Sequence, residues 1–286
     1  MKNILITGVN SYIGNKFDEW VKQWPDQYNV SKISMRNDDW KAMDWTKFDV
    51  VLHVAGIAHN SSDTKLEELY YKVNRDLTVE VAKKAKREGV SQFIYMSSII
   101  VFGTKVEVID SNTQPNPDNF YGDSKLQGEL GIKEMQEEKF DVVIVRPPMV
   151  YGNGSKGNYP RLAKLAVQTP VFPDFKNNRS MIHIENLTEF LKVLIDDKAK
   201  GYFHPQNTEY VCTSELVREI SDVRGKNIFM LSFPKQFITP LLNIGVVKKM
   251  FGNYIYDKEI STYHKNYIVN DLRQSIDKTE RGDLIG

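Results

Sequence analysis

The feature that most constrains the fold lies within the first fourteen residues. A short apolar run, Ile4-Leu5-Ile6, passes directly into Thr7-Gly8-Val9-Asn10-Ser11-Tyr12-Ile13-Gly14. The stretch that follows carries Ile13, Phe17, Trp20, Val21 and Trp24, spaced to make one apolar stripe on a helix. Strand, glycine turn and helix in that order open a βαβ crossover. Gly8 permits the tight turn, Gly14 permits close helix–strand packing, and amides at the helix N-terminus face a diphosphate. Gly8, Asn10, Ser11, Tyr12, Ile13 and Gly14 are therefore expected to hold the diphosphate of a dinucleotide. An ordinary strand–helix turn is the bland alternative, and the position directly after the first strand disfavours it. Ser11 stands where a third glycine is usual, so its side chain is expected to crowd the phosphate approach.

Strand-like and helical patterns then alternate. Segments 30–35 and 50–52 read as strands, and Val73, Leu77, Val81 and Ala85 have helical spacing, ended by Gly89. Phe93-Ile94-Tyr95-Met96 is the next strand, with Ser97 at its polar end. A proline-marked loop over 111–119, a helix from about Tyr121 and a strand over 142–145 follow. Such alternation predicts an α/β fold, a doubly wound, mostly parallel sheet of Rossmann type covered on both faces. The second half is broken by Pro147-Pro148, Gly152, Gly154, Gly157 and Pro160. It reads as a smaller C-terminal substrate lobe completing a cleft over the carboxyl edge of the sheet. The expected division is 1–150 for dinucleotide and catalytic residues and 151–286 mainly for substrate, with the chain interleaved between them.

Bulk properties narrow the function. The 286 residues, 41% hydrophobic, suffice for a sizeable core. With 38 basic against 37 acidic residues, no broad nucleic-acid surface is expected. Cys212 is the single cysteine and His53, His59, His183, His204 and His264 are scattered, so neither a disulfide nor a metal site is expected. The apolar run at 4–6 is too short for a signal core, and no stretch approaches the roughly 18 apolar residues of a membrane span. A cytoplasmic setting without stable membrane insertion is expected. Segment 237–251 is largely apolar with Lys248 and Lys249 near its end, which suits a membrane interface; Pro234 and Pro240 favour a buried helix of the substrate lobe instead.

Two pieces point to chemistry. Tyr121-Gly122-Asp123-Ser124-Lys125 places a tyrosine and a lysine on one helical face. A neighbouring ammonium favours the phenolate, so Lys125 is expected to lower the pKa of Tyr121 and make it a usable acid/base. A surface tyrosine and lysine is the bland alternative. Ser97-Ser98 ends a buried strand just upstream, where a hydroxyl can bond the oxygen being oxidised or reduced; it could equally cap the following turn. The end of the second strand bears on the cofactor. An acid there bonds ribose hydroxyls, whereas arginine favours a 2′-phosphate, so Ser34 and Arg36 favour NADP(H) over NAD(H). The alternative is a solvated Arg36 with Asp38 or Asp39 on the ribose.

Taken together, these motifs resemble the extended short-chain dehydrogenases/reductases of the sugar-nucleotide epimerase/dehydratase branch along essentially the whole chain. The pieces are 7–14, Val51-Leu52-His53-Val54-Ala55-Gly56, Asn74 with Thr78, Ser98, Tyr121/Lys125, Arg146-Pro147-Pro148-Met149-Val150-Tyr151-Gly152 and 179–187. Gly157-Asn158-Tyr159 and Phe251-Gly252-Asn253-Tyr254-Ile255-Tyr256 are similar to 4-ketoreductases of bacterial capsule and O-antigen amino-sugar pathways. The resemblance implies that Ser98, Tyr121 and Lys125 are catalytic, and that Ala55, Gly56, Asn74, Tyr121 and Lys125 join the cofactor site. It also implies that Asn158 and Arg179 meet the diphosphate of a UDP-sugar, for which the fork of Arg179 is suited; a surface-loop arginine is the alternative. Phe172 packs on the nucleobase or in the core. Met149 replaces the family's usual asparagine, removing one polar contact. A homodimer through the helices of 73–85 and 121–135 is also implied.

Among reactions, the 4,6-dehydratases of this branch carry an Asp-Glu pair directly after the catalytic hydroxyl residue. Here Ile99 and Ile100 stand there and cannot transfer protons. Epimerase/reductases needing a Cys-His pair are disfavoured because Cys212 lies outside the corresponding region. Two reactions remain: reduction of a UDP-4-keto-6-deoxy-N-acetylhexosamine, favoured by Arg36 and the closer resemblance, and 4-epimerisation with retained NAD. A non-catalytic dinucleotide-binding regulator is a more remote alternative, since such proteins typically lose the tyrosine or lysine.

Overall fold

The computed structural model describes residues 1–58, 63–232 and 251–285. In chain order the first elements are β1 (Lys2–Thr7), α1 (Tyr12–Val21), β2 (Tyr28–Ile33), α2 (Asp39–Ala42), β3 (Val50–His53), α3 (Glu67–Tyr71) and α4 (Thr78–Arg87). Then come β4 (Gln92–Met96), β5 (Val108–Ile109), α5 (Phe120–Lys133), β6 (Asp141–Val145), β7 (Met149–Tyr151), α6 (Asn158–Gln168) and β8 (Val171–Asp174). The remainder are β9 (Met181–His183), α7 (Ile184–Asp196), β10 (Gly201–Phe203), α8 (Thr213–Val223), β11 (Phe229–Ser232), β12 (Ile255–Tyr256), α9 (Lys258–Ser261) and α10 (Leu272–Ile285). Segment 237–251, read above as interfacial or buried helix, lies outside the described residues except for Phe251.

The chain forms two compact, interleaved units: residues 1–103, 114–147 and 188–205, and residues 104–113, 148–187 and 206–286. The first holds a six-stranded sheet in the order β10-β6-β4-β3-β1-β2, every pair parallel. The expected doubly wound parallel sheet is what the structure shows, with the order reversing between β1 and β3, where such sheets take ligands. Successive side chains of a strand point to opposite faces. Leu5, Val51, Phe93, Tyr95, Val142 and Ile144 bury one face against Val81, Ala82 and Ala85 of α4 and Ile132 of α5. The intervening Ile4, Ile6, Leu52, Ile94 and Val143 are fully buried on the other face. There, a Cβ on Gly14 of α1 would lie 2.8 Å from Ile6.

Two local expectations shift. The second strand begins at Tyr28 and ends at Ile33, not over 30–35, because it is zipped to β1 from Lys2↔Tyr28 to Thr7↔Ile33 and ends where its neighbour ends. The helical stretch through Val73 and Leu77 is also not plain α-helix: a π-helical segment, Lys72–Leu77, joins α3 to α4. Such segments occur often at functional sites.

Among the described residues the second unit holds three two-stranded parallel ribbons, β12-β5, β7-β9 and β11-β8. Its core joins Tyr151, Tyr159, Leu162, Phe172, Met181 and Val211 to Leu216, Val217 and Ile220 of α8 and Ile276 of α10. Among the described residues no helix is long and apolar enough to cross a membrane.

Candidate active site

The turn after β1 has the geometry its glycines require. Gly8 sits at φ +108°, a conformation that L side chains rarely adopt, and its virtual Cβ would lie 3.4 Å from the Ala55 backbone. Ser11 caps α1, its Oγ accepting from the Gly14 amide at 3.3 Å. The hydroxyl expected to crowd a phosphate is thus turned back onto its own helix. Asn10 precedes this cap, and Tyr12 and Ile13 open the helix, whose first turn carries no acid to repel an anion. The glycine conformation, the close Ala55 backbone and the helix terminus fit a dinucleotide diphosphate.

Arg36 lies exposed just beyond β2, its backbone amide donating to Ser34 Oγ at 3.2 Å. The neighbouring acids are engaged locally: Asp38 with Lys41 at 3.1 Å, Asp39 with Asn37 at 2.5 Å.

Beyond β3, Gly56 backs onto two site residues. A Cβ there would lie 3.0 Å from Lys125 Nζ and 3.1 Å from Asn74 Oδ1. Asn74, within the π-helical segment, accepts from the Ile57 amide at 2.9 Å and donates to Ile57 O at 3.0 Å and Ser124 Oγ at 3.1 Å. Its amide therefore fastens the post-β3 loop to α5, so the structure places it behind that loop. Sequence reasoning missed this tie, because its ends are far apart in the chain.

Ser98 leaves β4 in an extended conformation, and its Oγ accepts from the Ile100 amide at 3.3 Å. The capping role read for this hydroxyl is thus present, and the same hydroxyl lies close enough to the Tyr121 phenol to influence its pKa. Tyr121 stands in the first turn of α5, which Asn119 caps through the Gly122 amide at 3.0 Å. Burial pushes the Tyr121 phenol up to about 12, with the Ser98 hydrogen bond pulling the other way. The lowering expected from Lys125 is therefore not what the structure shows. Burial dominates, and the Lys125 ammonium is occupied elsewhere, donating to Met96 O at 2.8 Å and lying 4.7 Å above the Tyr95 ring. Burial also depresses Lys125 to about 8, against the upward pull of Glu129.

Sequence reasoning also missed what lies beneath this set. Glu129 is fully buried, accepts from the Ser97 hydroxyl and is forked by Arg146, whose Nη2 lies 2.6 Å from Oε2. The four-residue step from Lys125 to Glu129 was a visible signal; the partner on β6's exit was not.

The remaining expected residues lie in the second unit. Asn158 is exposed at the start of α6. Phe172 is 5% exposed within that unit's core, its ring 5.8 Å from Phe251, as its core reading requires. Arg179 bridges Val211 through its backbone, and its Nη1 donates to Gly252 O at 3.1 Å. Among the described residues no other guanidinium nitrogen of Arg179 has a partner, leaving donors for an anion. Met149 begins β7, paired with Met181. Ile99 is buried and Ile100 half-buried in a short 3₁₀ turn directly after Ser98.

A doubly wound sheet with a glycine turn after β1 and a Ser–Tyr–Lys set at the β4 exit defines an enzyme of the extended short-chain dehydrogenase/reductase type. The chain belongs to the NAD dependent epimerase/dehydratase family, whose model matches residues 4–205. It is 31% identical over 259 residues to UDP-glucose 4-epimerase of Vibrio cholerae, spanning 82% of this chain and 79% of that protein. It is 26% identical over 290 residues to N-acetyl-alpha-D-glucosaminyl-diphospho-ditrans,octacis-undecaprenol 4-epimerase of Escherichia coli O157:H7, spanning 95% of this chain and 84% of that protein. The solved structure of a dTDP-4-dehydrorhamnose reductase from Clostridium acetobutylicum shares the fold with a TM-score of 0.77 at 20% identity, covering 99% of each chain.

Proposed function

We propose that this protein is a nicotinamide-dependent oxidoreductase acting at C4 of a UDP-sugar, and that it reduces a UDP-4-keto-6-deoxy-N-acetylhexosamine for surface-polysaccharide synthesis. The observation that carries the reading is the buried Tyr121 phenol, close enough to the Ser98 hydroxyl to be acidified by it and one helical turn from Lys125, whose ammonium is held on Met96 O. A bound nicotinamide dinucleotide supplies or accepts the hydride. The protein's own residues do the rest: Ser98 holds the C4 oxygen, and Tyr121, protonated at neutral pH, donates to that oxygen as it becomes an alkoxide. Ile99 and Ile100 supply no acid or base for eliminating water, which disfavours a dehydratase. Exposed Arg36, beside acids already engaged, suits a 2′-phosphate and favours NADP(H). In this reading the first unit holds the dinucleotide, while Asn158 and Arg179 of the second take the sugar nucleotide's diphosphate.

The second reading is 4-epimerisation with retained NAD, favoured by the two relatives above being 4-epimerases. Following nicotinamide absorbance while the keto sugar is supplied with NADPH separates the two. Reduction consumes one cofactor per sugar and yields a 6-deoxy amino sugar whose C4 configuration NMR assigns. Interconversion of UDP-glucose with UDP-galactose, or of their N-acetyl forms, without added cofactor would establish the epimerase instead.

We place the enzyme in the cytoplasm as a homodimer. On the face shared by α4 and α5, Leu130 is 49% exposed, an apolar side chain that a second copy would cover. Sedimentation as a monomer at micromolar concentration would refute it.

A further inference from the structure

Tyr121, Lys125 and Glu129 recur every four residues and run along one face of α5. Each meets the chain leaving β4. The Tyr121 phenol lies near the Ser98 hydroxyl, Lys125 donates to Met96 O, and Glu129 accepts from the Ser97 hydroxyl between them. From the β6 exit, Arg146 Nε reaches the two Glu129 oxygens at 3.1 and 3.2 Å, and Nη2 adds a third contact at 2.6 Å. The guanidinium is itself stacked 5.0 Å from the Phe102 ring and 4.5 Å from that of Tyr202. Burying such a pair costs desolvation of both ions and is weak evidence for a gain in stability. Its place one turn below Lys125 calls for another account.

We propose that Glu129 is a positioning residue: through Ser97 and Arg146 it sets Met96, Ser97 and Ser98 against the Tyr121/Lys125 face of α5 and supplies the negative charge that Lys125 faces. This rests on the reading of Ser98, Tyr121 and Lys125 as the reacting set. The groups facing Lys125 are Tyr121 and Glu129 on α5, Tyr95 of β4 beneath the ammonium, and His53 of β3. His53, wedged between Thr7 at 2.6 Å and Thr78 at 3.1 Å, is held neutral by burial, and Arg146 lies beyond Glu129. Glu129 therefore supplies the opposing negative charge. With it removed, Lys125 loses its ammonium at lower pH than the present value of about 8.

The test uses Glu129→Gln and the charge-balanced Glu129→Gln/Arg146→Gln, with thermal melts to establish folding. Hydride transfer and dinucleotide affinity are measured against pH for each. The alkaline limb in Glu129→Gln should move to lower pH by about one unit, the size expected of an opposite charge nearby. The double variant should melt closer to wild type yet keep the shifted limb. A purely structural pair predicts the reverse, a wild-type limb in whichever variant folds, and that result overturns the proposal. If Glu129→Gln does not fold, the double variant decides alone. A wild type that transfers no hydride defeats the functional reading, while the pH dependence of dinucleotide binding still decides the role of Glu129.

Discussion

Tyr121 and Lys125 stand one turn apart on α5, yet their polar atoms face different residues of the same strand exit. The phenol meets the Ser98 side chain, and the ammonium meets the Met96 carbonyl 2.8 Å away. The cation is thus anchored apart from the hydroxyl, and burial keeps the phenol protonated well beyond neutral pH. Tyr121→Phe removes the proton donor while leaving the ring beside Tyr70, 5.9 Å away. Folding and dinucleotide affinity should persist, with turnover down about 100-fold or more, a usual general-acid contribution. Near-normal turnover in a folded Tyr121→Phe protein would remove Tyr121 from the mechanism.

Lys125 makes stability depend on pH in a definite direction. Its value in the folded protein is about 8 against an ordinary 10.5, so the unfolded chain binds more protons between those limits. Stability contributed by this group therefore rises with pH across that window and is lowest below it. Lys125→Met should lack the rise and melt higher than wild type near pH 7, while losing activity. Parallel melting-temperature curves for the two proteins from pH 7 to 10 would show that Lys125 is not held in this state.

Arg36 gives the cofactor test. Arg36→Ala should weaken NADPH far more than NADH if, as proposed, a 2′-phosphate is the group that it meets. Calorimetric titration of both cofactors measures this. Equal losses, or a wild type that prefers NADH, would assign the ribose end to other residues.

Gly14 tests the packing behind the turn. A Cβ at this position would lie 2.8 Å from Ile6 and 3.1 Å from Val54, so either those buried side chains or α1 must shift. Gly14→Ala should cost about 1–3 kcal/mol, as overpacking does, and should weaken dinucleotide binding with it. A melting temperature equal to wild type would show that the helix can shift without loss.

Much of the fold was legible because it rests on short-range pattern. Apolar runs such as Ile4-Leu5-Ile6 and Phe93-Ile94-Tyr95-Met96 can bury both faces of a strand, and their alternation with amphipathic stretches admits few topologies. The glycine turn and the Tyr121/Lys125 spacing were equally local; the four-residue step on to Glu129 was as local but went unread, because its partner Arg146 lies at the exit of β6.

Tertiary structure decided what depends on neighbours distant in sequence. The end of β2 follows the length of β1, and Asn74 is aimed at Ile57 and Ser124 by a π-helical segment that the apolar spacing of Val73 and Leu77 does not reveal. Phe172 went to its unit's core, since a ring so enclosed is worth most where water is excluded. The acidity of Tyr121 was decided the same way. Sequence determines that a lysine lies one turn away, but burial and the nearest bonded atom set the charge balance, and those belong to the packed protein.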